Sequence, residues 1–506
     1  MRPPTSILFV GLNAEPFGPN PAGTVLSNAI QSTPSLRAAV RCTFADYVLG
    51  HTPLEQMLWG ILDAGAEAVA FSIYSWNAAA VETLIAGLRT AAPELAILGG
   101  GPGLSLLSPG SRSQLTLGEG GHGERPLLLW LGATPQEAPS LQVLLNDTSP
   151  YAQRCDGYIF DFADKTSICY DASRGCPFQC SFCVDGAPDR PAMRRANAIV
   201  WRELEYLAGI GYRVIDIADN NANQNSSTWR LYCDVATRWP GTRFHVEARA
   251  EFFTREQCSL ALAHTNMQMY VGLQSAVAGE LNGVRRSNSM RKIHTVFHDW
   301  LEPHDRRCSV GIDLMFGLPC QTLTSFLMTF DVVTRLLPDR INLNHYQAYQ
   351  YSSNQYDPLI RSGALPVAFL NKLARSSCMP LEDVIHFVRF KRVYQVLQRA
   401  HNWAAAANVC LLCCDMSPAT FYSELARCCS MSSEDAVVIA CARDLVSQHM
   451  PLSICRYLLD RLELPTAASD SRLFPAWPSR ACGDALRFAT ASTWRPEISG
   501  RMGGPN

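Results

Sequence analysis

"TSICYDASRGCPFQCSFC", residues 166–183, begins as a short strand and turns at once into three cysteines spaced C-x-x-x-C-x-x-C, with Phe182 just before the last. Cys176, Cys180 and Cys183 fall within eight positions, and no fourth cysteine follows at once. A structural zinc site is closed by four ligands, and a catalytic one keeps three plus an open position, usually with His or carboxylate among them. No His lies in this loop. A 4Fe–4S cluster favours cysteine thiolates, and three of them leave the fourth iron open for another ligand. Chance clustering in a cysteine-rich chain is the third reading. Ligand type favours the cluster.

Downstream of this loop the chain alternates strands and helices. The strand "TSICYDA" and a helix over 197–209 are followed by strands at 213–219, 242–249, 267–275, 308–317 and 339–347. Helices fall between them near 226–238, 254–264, 289–301 and 321–336. Six such units in register predict a (βα)6 partial TIM barrel, with chemistry at the carboxyl ends of the strands, where the cysteine loop also sits.

Upstream, "SILFVGL" (6–12), "AEAVAFSIYSW" (66–76), "LAILGGG" (95–101) and "LTLGEGG" (115–121) read as buried strands, with helices over 53–65 and 78–94. This alternation predicts an open, Rossmann-like parallel sheet whose ligand crevice lies at the strands' carboxyl ends. Those ends, "NAEPFG", "SIYSWN", "GGGPG" and "GEGG", are small or polar, as a large docked cofactor with phosphate and amides requires. Residues 132–150 are rich in Pro and polar residues and read as a linker. From about 360 the apolar spacing becomes helical, and Ser432 three before Asp435 reads as a capping box. The stretch 466–506, rich in Pro, Ser and Gly, is expected to be partly disordered. The predicted organisation is a first domain over 1–140, the barrel over 150–355 and a helical region with a flexible tail over 360–506, the last a candidate for substrate binding.

Bulk properties agree with a soluble multidomain chain. At 506 residues it exceeds one core, and about three domains are expected. It is 47% hydrophobic and 17% charged with a formal net charge of −2, which gives no basic excess for nucleic acid. "MRPPTSILFVGLNAEPFG" is too short in its apolar part for a signal sequence or a membrane span, so a cytoplasmic location and no membrane partner are expected. The 19 cysteines are odd in number, which argues against a disulfide scaffold and for mostly reduced, core-filling thiols.

The motif C-x-x-x-C-x-Φ-C after the first strand of a partial barrel resembles the radical S-adenosylmethionine (SAM) superfamily. The resemblance implies a cluster whose open iron chelates SAM and whose reduction cleaves it to a 5′-deoxyadenosyl radical. It implies SAM contacts at further strand ends. Asp219 and Asn220 lie in "DIADNN", where the commoner Gly-Gly-Glu is absent, and Arg249 could pair with the SAM carboxylate. Gln274 and Ser275 lie in "VGLQS", Gly311 and Gly317 in "GIDLMFGLPCQT", and Phe182 in the loop itself. The usual Gly-Glu after Pro319 is Cys320-Gln321. Ordinary strand-end polarity is the alternative for each of these residues. "FSIYSWN", "ILGGGPGLS" and "TLGEGG" resemble, in order and spacing, the cobalamin-binding domain that precedes many radical SAM enzymes. Carried over, Ser72, Tyr74, Trp76, Gly99, Gly100, Gly101, Gly118 and Glu119 would line the cobalamin crevice. The D-x-H-x-x-G signature is missing, so the resemblance implies no histidine below the cobalt. The alternative is a Rossmann-like domain that binds nothing, or another nucleotide. Together the resemblances cover residues 5 to 350.

They imply a cobalamin-dependent radical SAM enzyme, class B methyltransferase-like, that moves a methyl from SAM via methylcobalamin to a carbon of a small-molecule or peptide natural product. A low-potential donor such as flavodoxin or ferredoxin would supply electrons. A non-methylating rearrangement, cyclisation or oxidation is the rival within enzymes. A cobalamin- or SAM-sensing protein is the rival outside them, against which the intact three-cysteine loop counts. "CLLCC" (410–414) and "RCCS" (427–430) read as core packing rather than a second metal site. "YQAYQYSSNQYD" (346–357) reads equally as a substrate mouth or a surface loop. His245 and His345 read as satisfied core residues, and "MRR" (193–195) is too short for a nucleic-acid patch.

Overall fold

A computed structural model describes residues 3–14, 20–119, 122–138, 140, 158–160, 167–183, 185, 192–301, 307–346, 378–400, 403–412, 414 and 416–463. The end of the expected linker (141–150), the Tyr-rich stretch beyond Tyr346, Cys413 and the tail from 464 lie outside these residues. The described chain divides into two compact units. One holds the residues up to 222 together with 227–247; the other holds 223–226, 248–346 and everything from 378 onward.

The first unit opens on a parallel sheet. Its strands are β1 (Ser6–Asn13), β2 (Arg41–Val48), β3 (Ala68–Ser72), β4 (Ala96–Gly100), β5 (Leu117–Glu119) and β6 (Tyr158–Phe160), in the spatial order β5-β4-β3-β1-β2-β6. Helices α1 (Pro21–Ser32), α2 (Leu54–Asp63), α3 (Ala78–Ala91) and α4 (Glu124–Trp130) cover it. The period-2 alternation of a strand assigns β1 to both faces at once. Leu8, Val10 and Leu12 join Met57 and Ile61 of α2 and Val81 and Ile85 of α3 in one core. Ile7 and Phe9 join Ile30 of α1 and Leu127 and Leu128 of α4 in the other. That is why β1 reads as an unbroken apolar run.

Strand β2 was not expected from the sequence, and it changes the topology. It pairs with β1 from Ser6↔Arg41 to Asn13↔Val48, on the side away from β3, which pairs with β1 from Ile7↔Ala68 to Val10↔Phe71. The chain therefore reverses its direction of travel across the sheet between β1 and β3, the switch point where open α/β sheets bind ligands.

Six further parallel strands follow, three in each unit: β11, β10 and β7 lie side by side in that order in the first, and β14, β13 and β12 in the second. The first unit contributes β7 (Ser167–Tyr170), β10 (Val214–Ile217) and β11 (Arg243–Ala248), with helices α5 (Asn197–Gly209) and α6 (Ser226–Arg238) following β7 and β10. A two-residue hairpin, β8 (Ser173–Arg174) against β9 (Met193–Arg194), frames the cysteine loop. The second unit contributes β12 (Met267–Gln274), β13 (Ser309–Phe316) and β14 (Arg340–His345), with α7 (Arg255–Leu262), α8 (Met290–Thr295) and α9 (Leu323–Thr334). Helix α8 continues into one π-helical turn, Val296–Trp300. These six strands and their helices fall where the sequence predicts them.

The second unit ends in helices α10 (Leu381–Arg399), α11 (Trp403–Leu412), α12 (Pro418–Cys428), α13 (Asp435–His449) and α14 (Leu452–Glu463). Phe316 of β13 stacks on Phe387 of α10 at 3.7 Å, and Phe330 of α9 meets Phe390 and Tyr394 edge-on. His345 lies beside the Phe316 and Phe387 rings, and His245 is buried on β11. Cys410 and Cys429 are buried, whereas Cys428 is exposed. The expected capping box does not form. Helix α13 begins at Asp435 after Glu434, with no side-chain cap, because Ser432 spends its hydroxyl on Ser430 and Ser433 caps the Ser430 backbone N–H instead. The protein is α/β, with parallel sheets and a helical C-terminal region. No helix among the described residues is long and apolar enough to cross a membrane.

Candidate cofactor site

The carboxyl ends of β1, β3 and β4 open on a cavity of about 1010 Å³ in the first unit. Asn77, almost wholly buried, shapes its rim: its Nδ2 donates to the Leu12 carbonyl at 3.1 Å and the Ser72 carbonyl at 2.9 Å, while its Oδ1 accepts from the Tyr74 N–H at 2.8 Å. One side chain thus ties the β1 and β3 ends together. Tyr74 and Trp76 stack at 4.4 Å with rings 5° from parallel, and the Trp76 indole N–H donates to Leu12 O at 3.3 Å. Burial raises the Tyr74 phenol, partly offset by a hydrogen bond with Ser72, so the ring stays neutral.

The β4 loop comes so close to the β3 loop that side chains are excluded. A Cβ on Gly101, whose φ is +100°, would lie 2.7 Å from the Ile73 carbonyl oxygen, and one on Gly103 would lie 2.6 Å from the Tyr74 backbone. Ser72, Tyr74, Trp76, Gly99, Gly100 and Gly101 all line the cavity. Gly118 lies on β5, where a Cβ would meet Leu104 and Leu115 at ordinary contact distance; Glu119 closes that strand, and its side chain lies outside the described set. The amide Nδ2 of Asn13, at the end of β1, is buried without a partner on the cavity wall. A site of this size with an unused amide donor and side-chain-free loops fits a large ligand rich in hydrogen-bond acceptors.

The same cavity is also lined by residues that flank the cysteine loop, Ser173, Arg174, Gly175 and Asp185, and by Cys169, Asp171, Asp216, Asn220 and Glu247, while Cys176, Cys180 and Cys183 lie behind this lining. Arg174 donates through Nε to Asp171 at 2.7 Å and pairs with Glu124 at the start of α4. Burial works against its charge, but the two carboxylates more than offset it and hold the guanidinium above its ordinary pKa. Burial raises Cys169 and also Asp216, the latter to about 6.

Within the loop, the Cys176 N–H donates to Asp185 O at 2.9 Å and the Cys183 N–H to Cys180 O at 3.0 Å. Cys180 is buried, and Cys176, Phe182 and Cys183 are half-buried. Burial raises both outer thiols, Cys183 to about 12 with help from the Asp185 charge. Two donors oppose this at Cys176, the Phe178 backbone N–H and the Asn221 side chain, and the Asp185 backbone opposes it at Cys183. Hydrogen bonds donated to sulfur suit thiolate ligands. Among the described residues no group of three His, Cys, Asp or Glu side chains converges closely enough to hold a single metal ion. A four-iron cluster spreads its ligands over several irons.

The residues expected to meet SAM fall into two groups. In the first unit, Asp219 is wholly buried and accepts from Ser173 Oγ at 2.7 Å, Tyr232 OH at 2.6 Å and Arg194 at 3.2 Å. Asn220 donates to Asp185 at 3.2 Å. Both side chains therefore hold the cysteine loop. In the second unit, Arg249 donates through Nε to Glu251 at 2.9 Å and through Nη2 to Ser287 O at 3.0 Å. Ser275 donates to Glu280 at 2.6 Å and caps the Val277 N–H. Gln274 stands apart: its φ is +70°, and its buried Oε1 has no hydrogen-bond partner. Strain and an orphaned acceptor at one strand end mark a place built for a ligand. Gly311 backs onto the Tyr270 ring, and the Gly317 N–H donates to Gln321 Oε1 at 2.7 Å.

No family model matches the chain. Over 247 residues it is 26% identical to the cobalamin-dependent radical SAM methyltransferase TokK of Streptomyces tokunonensis, a match covering 42% of this chain and 35% of TokK. The match thus spans about a third of that curated relative. Among solved structures, the radical SAM methyltransferase TsrM of Kitasatospora setae, with cobalamin and a [4Fe-4S] cluster bound, superposes with a TM-score of 0.56 at 17% identity, covering 71% of this chain and 78% of TsrM. The cobalamin-dependent SAM radical enzyme OxsB, with aqua-cobalamin and SAM bound, gives a TM-score of 0.50 at 12% identity, covering 97% of this chain and 84% of OxsB. The chain has the fold of the cobalamin-dependent radical SAM enzymes.

Seen as a radical SAM fold, the departure at Cys320-Gln321 has a structural account. Gln321 is wholly buried: its Oε1 accepts from the Gly317 and Leu318 N–H groups, and its Nε2 donates to Glu280 at 2.9 Å and Met315 O at 3.1 Å. It fastens the Gly-Leu-Pro turn. Sequence reasoning missed Asn13, Asn77 and Asn221. The only signal for Asn221 was its place in the polar run Asp219-Asn220-Asn221.

Proposed function

We propose that this chain is a cobalamin-dependent radical SAM methyltransferase, transferring a methyl group from SAM by way of cobalamin to a carbon of a small-molecule or peptide substrate. The supporting observation is one cavity lined both by the ends of β1, β3 and β4 and by Ser173, Arg174, Gly175 and Asp185, which flank the cysteine loop. A methylation of this kind needs its methyl carrier and its radical source to open on one enclosed space. The names of TokK and TsrM support the same reading.

When bound, the three groups supply one-electron cleavage of SAM and a transferable methyl. Cys176, Cys180 and Cys183 would hold the cluster. Ser72, Tyr74, Trp76, Gly99, Gly100, Gly101, Gly118 and Glu119 would line cobalamin, with Asn13 offering its free donor to an acceptor at the ligand's edge. Phe182, Arg249, Gln274, Ser275, Gly311 and Gly317 would shape the SAM site, where the Gln274 oxygen is the open acceptor. Asp219 and Asn220 would serve SAM through the loop they hold. Phe9, Val10 and Phe71 give the chamber an apolar part beside the polar strand ends. An electron donor of low potential, a flavodoxin or ferredoxin, completes the reaction.

One observation favours a second reading, radical chemistry without methyl transfer. OxsB, a cobalamin-dependent SAM radical enzyme, is one solved structure that spans 97% of this chain. Anaerobic reconstitution with iron, sulfide and cobalamin, followed by methyl-labelled SAM, a strong reductant and substrate, separates the two. Label in the product is expected; a turned-over product without label overturns methyl transfer. Absence of 5′-deoxyadenosine refutes the radical step.

A further inference from the structure

The three residues that follow β10 reach the cysteine loop at three separate points. Asp219 accepts from Ser173, Asn220 donates to Asp185, and Asn221 donates through Nδ2 to Cys176 Sγ at 3.2 Å. Asn221 is only 7% exposed, and its Oδ1 is buried without a hydrogen-bond partner. Leaving that oxygen unsatisfied is costly, so the contact at the other end of the amide is not incidental. The Cys176 sulfur already accepts the Phe178 backbone N–H. It thus receives one donor from its own loop and one from a neighbouring element.

We infer that Asn221 is a positioning residue for the iron–sulfur cluster, whose amide N–H to the Cys176 sulfur fixes that ligand's orientation and raises the cluster's reduction potential. The inference rests on the reading of the loop as a 4Fe–4S site. The step concerned is the gain of one electron, from a low-potential donor protein or dithionite, by the oxidised cluster. The added charge spreads onto the sulfurs, and a donor aimed at one of them stabilises the reduced state more than the oxidised one. Asn221 thereby lowers the demand on the electron donor through its contact with Cys176.

The test uses the full-length protein, reconstituted anaerobically, with iron and sulfide content and an EPR-monitored redox titration as readouts. Asn221→Leu is expected to load iron normally and to be reduced about tenfold less readily, a midpoint about 59 mV more negative. Asn221→Asp keeps the shape, removes the donor and is expected to shift in the same direction, so it decides the matter if Asn221→Leu does not load. In the native reduced protein labelled with ¹⁵N-asparagine, ENDOR should show a weak nitrogen coupling and an exchangeable proton coupling, and this readout stands if neither variant loads. A loaded variant with the native midpoint, or a native spectrum without the asparagine coupling, overturns the inference. A native protein that binds no iron and sulfide instead overturns the cluster reading itself.

Discussion

Asp216 sits on β10 in register with Cys169 of β7 and His245 of β11, and it lines the cavity. Burial alone raises its carboxyl to about 6 from 3.8. A carboxyl with a raised folded-state value binds its proton more tightly folded than unfolded, so its contribution favours folding below the unfolded value and is lost as pH rises through about 6. The apo-protein of Asp216→Asn, which carries no such charge, is therefore expected to unfold with up to about 3 kcal/mol more stability than the native apo-protein at pH 8. The advantage should vanish near pH 4. Denaturant melts of both proteins across that range check it, and a pH-independent difference would contradict the assignment. Gly101 makes a second case at this scale. Its φ of +100° and ψ of 173° lie in a region open essentially to glycine, and a Cβ there would strike the Ile73 carbonyl. Gly101→Ala should cost about 2 kcal/mol and strip cobalamin from the protein. Cobalamin absorbance co-eluting with protein on gel filtration is the measure.

Elements were legible where one physical signal dominated. Strands β7 and β10 to β14, with helices such as 197–209 and 226–238, follow from apolar runs separated by helical periods. Strand β2 was hidden because "RCTFADYV" begins on an arginine and carries Asp46 in its middle. The structure shows why an aspartate survives there: it is buried against Gly11 and takes the Asn20 backbone N–H. The capping box at Ser432 misled because serines at 430, 432 and 433 compete for the same few donors, a contest spacing alone does not decide. The turn after β13 reads the same way. Sequence shows a missing acid; the structure shows Gln321 feeding an N–H to the buried Glu280. Gln321→Glu, which restores the usual acid, would set two buried carboxylates side by side. It is expected to lose about 3 kcal/mol at pH 8. Acidification should recover part of that loss, because one of the pair then takes a proton. A melt with equal losses at pH 8 and pH 5 would show that the two groups do not share a site.

At the scale of the whole molecule, the sequence presents the sheet of residues 6–119 and the cysteine loop as parts of different domains, and nothing in their motifs joins them. The joint is Arg174, adjacent in sequence to the loop yet paired with Glu124 of α4, beneath the first sheet, and with Asp171 after β7. Asp171 is only three residues away, but Glu124 is not identifiable from spacing, since 50 residues separate it from Arg174. The pair is mostly out of water, with side-chain exposures of 16% and 5%. Removing the cation leaves Glu124 buried and uncompensated, a change that typically costs about 3–5 kcal/mol. Both residues line the cavity. Arg174→Met, which preserves the apolar stem but not the charge, should therefore weaken both sites at once, lowering iron and cobalamin content together in the same preparation. Arg174→Lys keeps the charge but cannot serve both carboxylates with a planar fork, so it should restore the contents only in part. If Arg174→Met lost iron alone and kept full cobalamin, the two sites would be energetically separate, and the shared chamber would be a matter of proximity rather than of one cooperative structure.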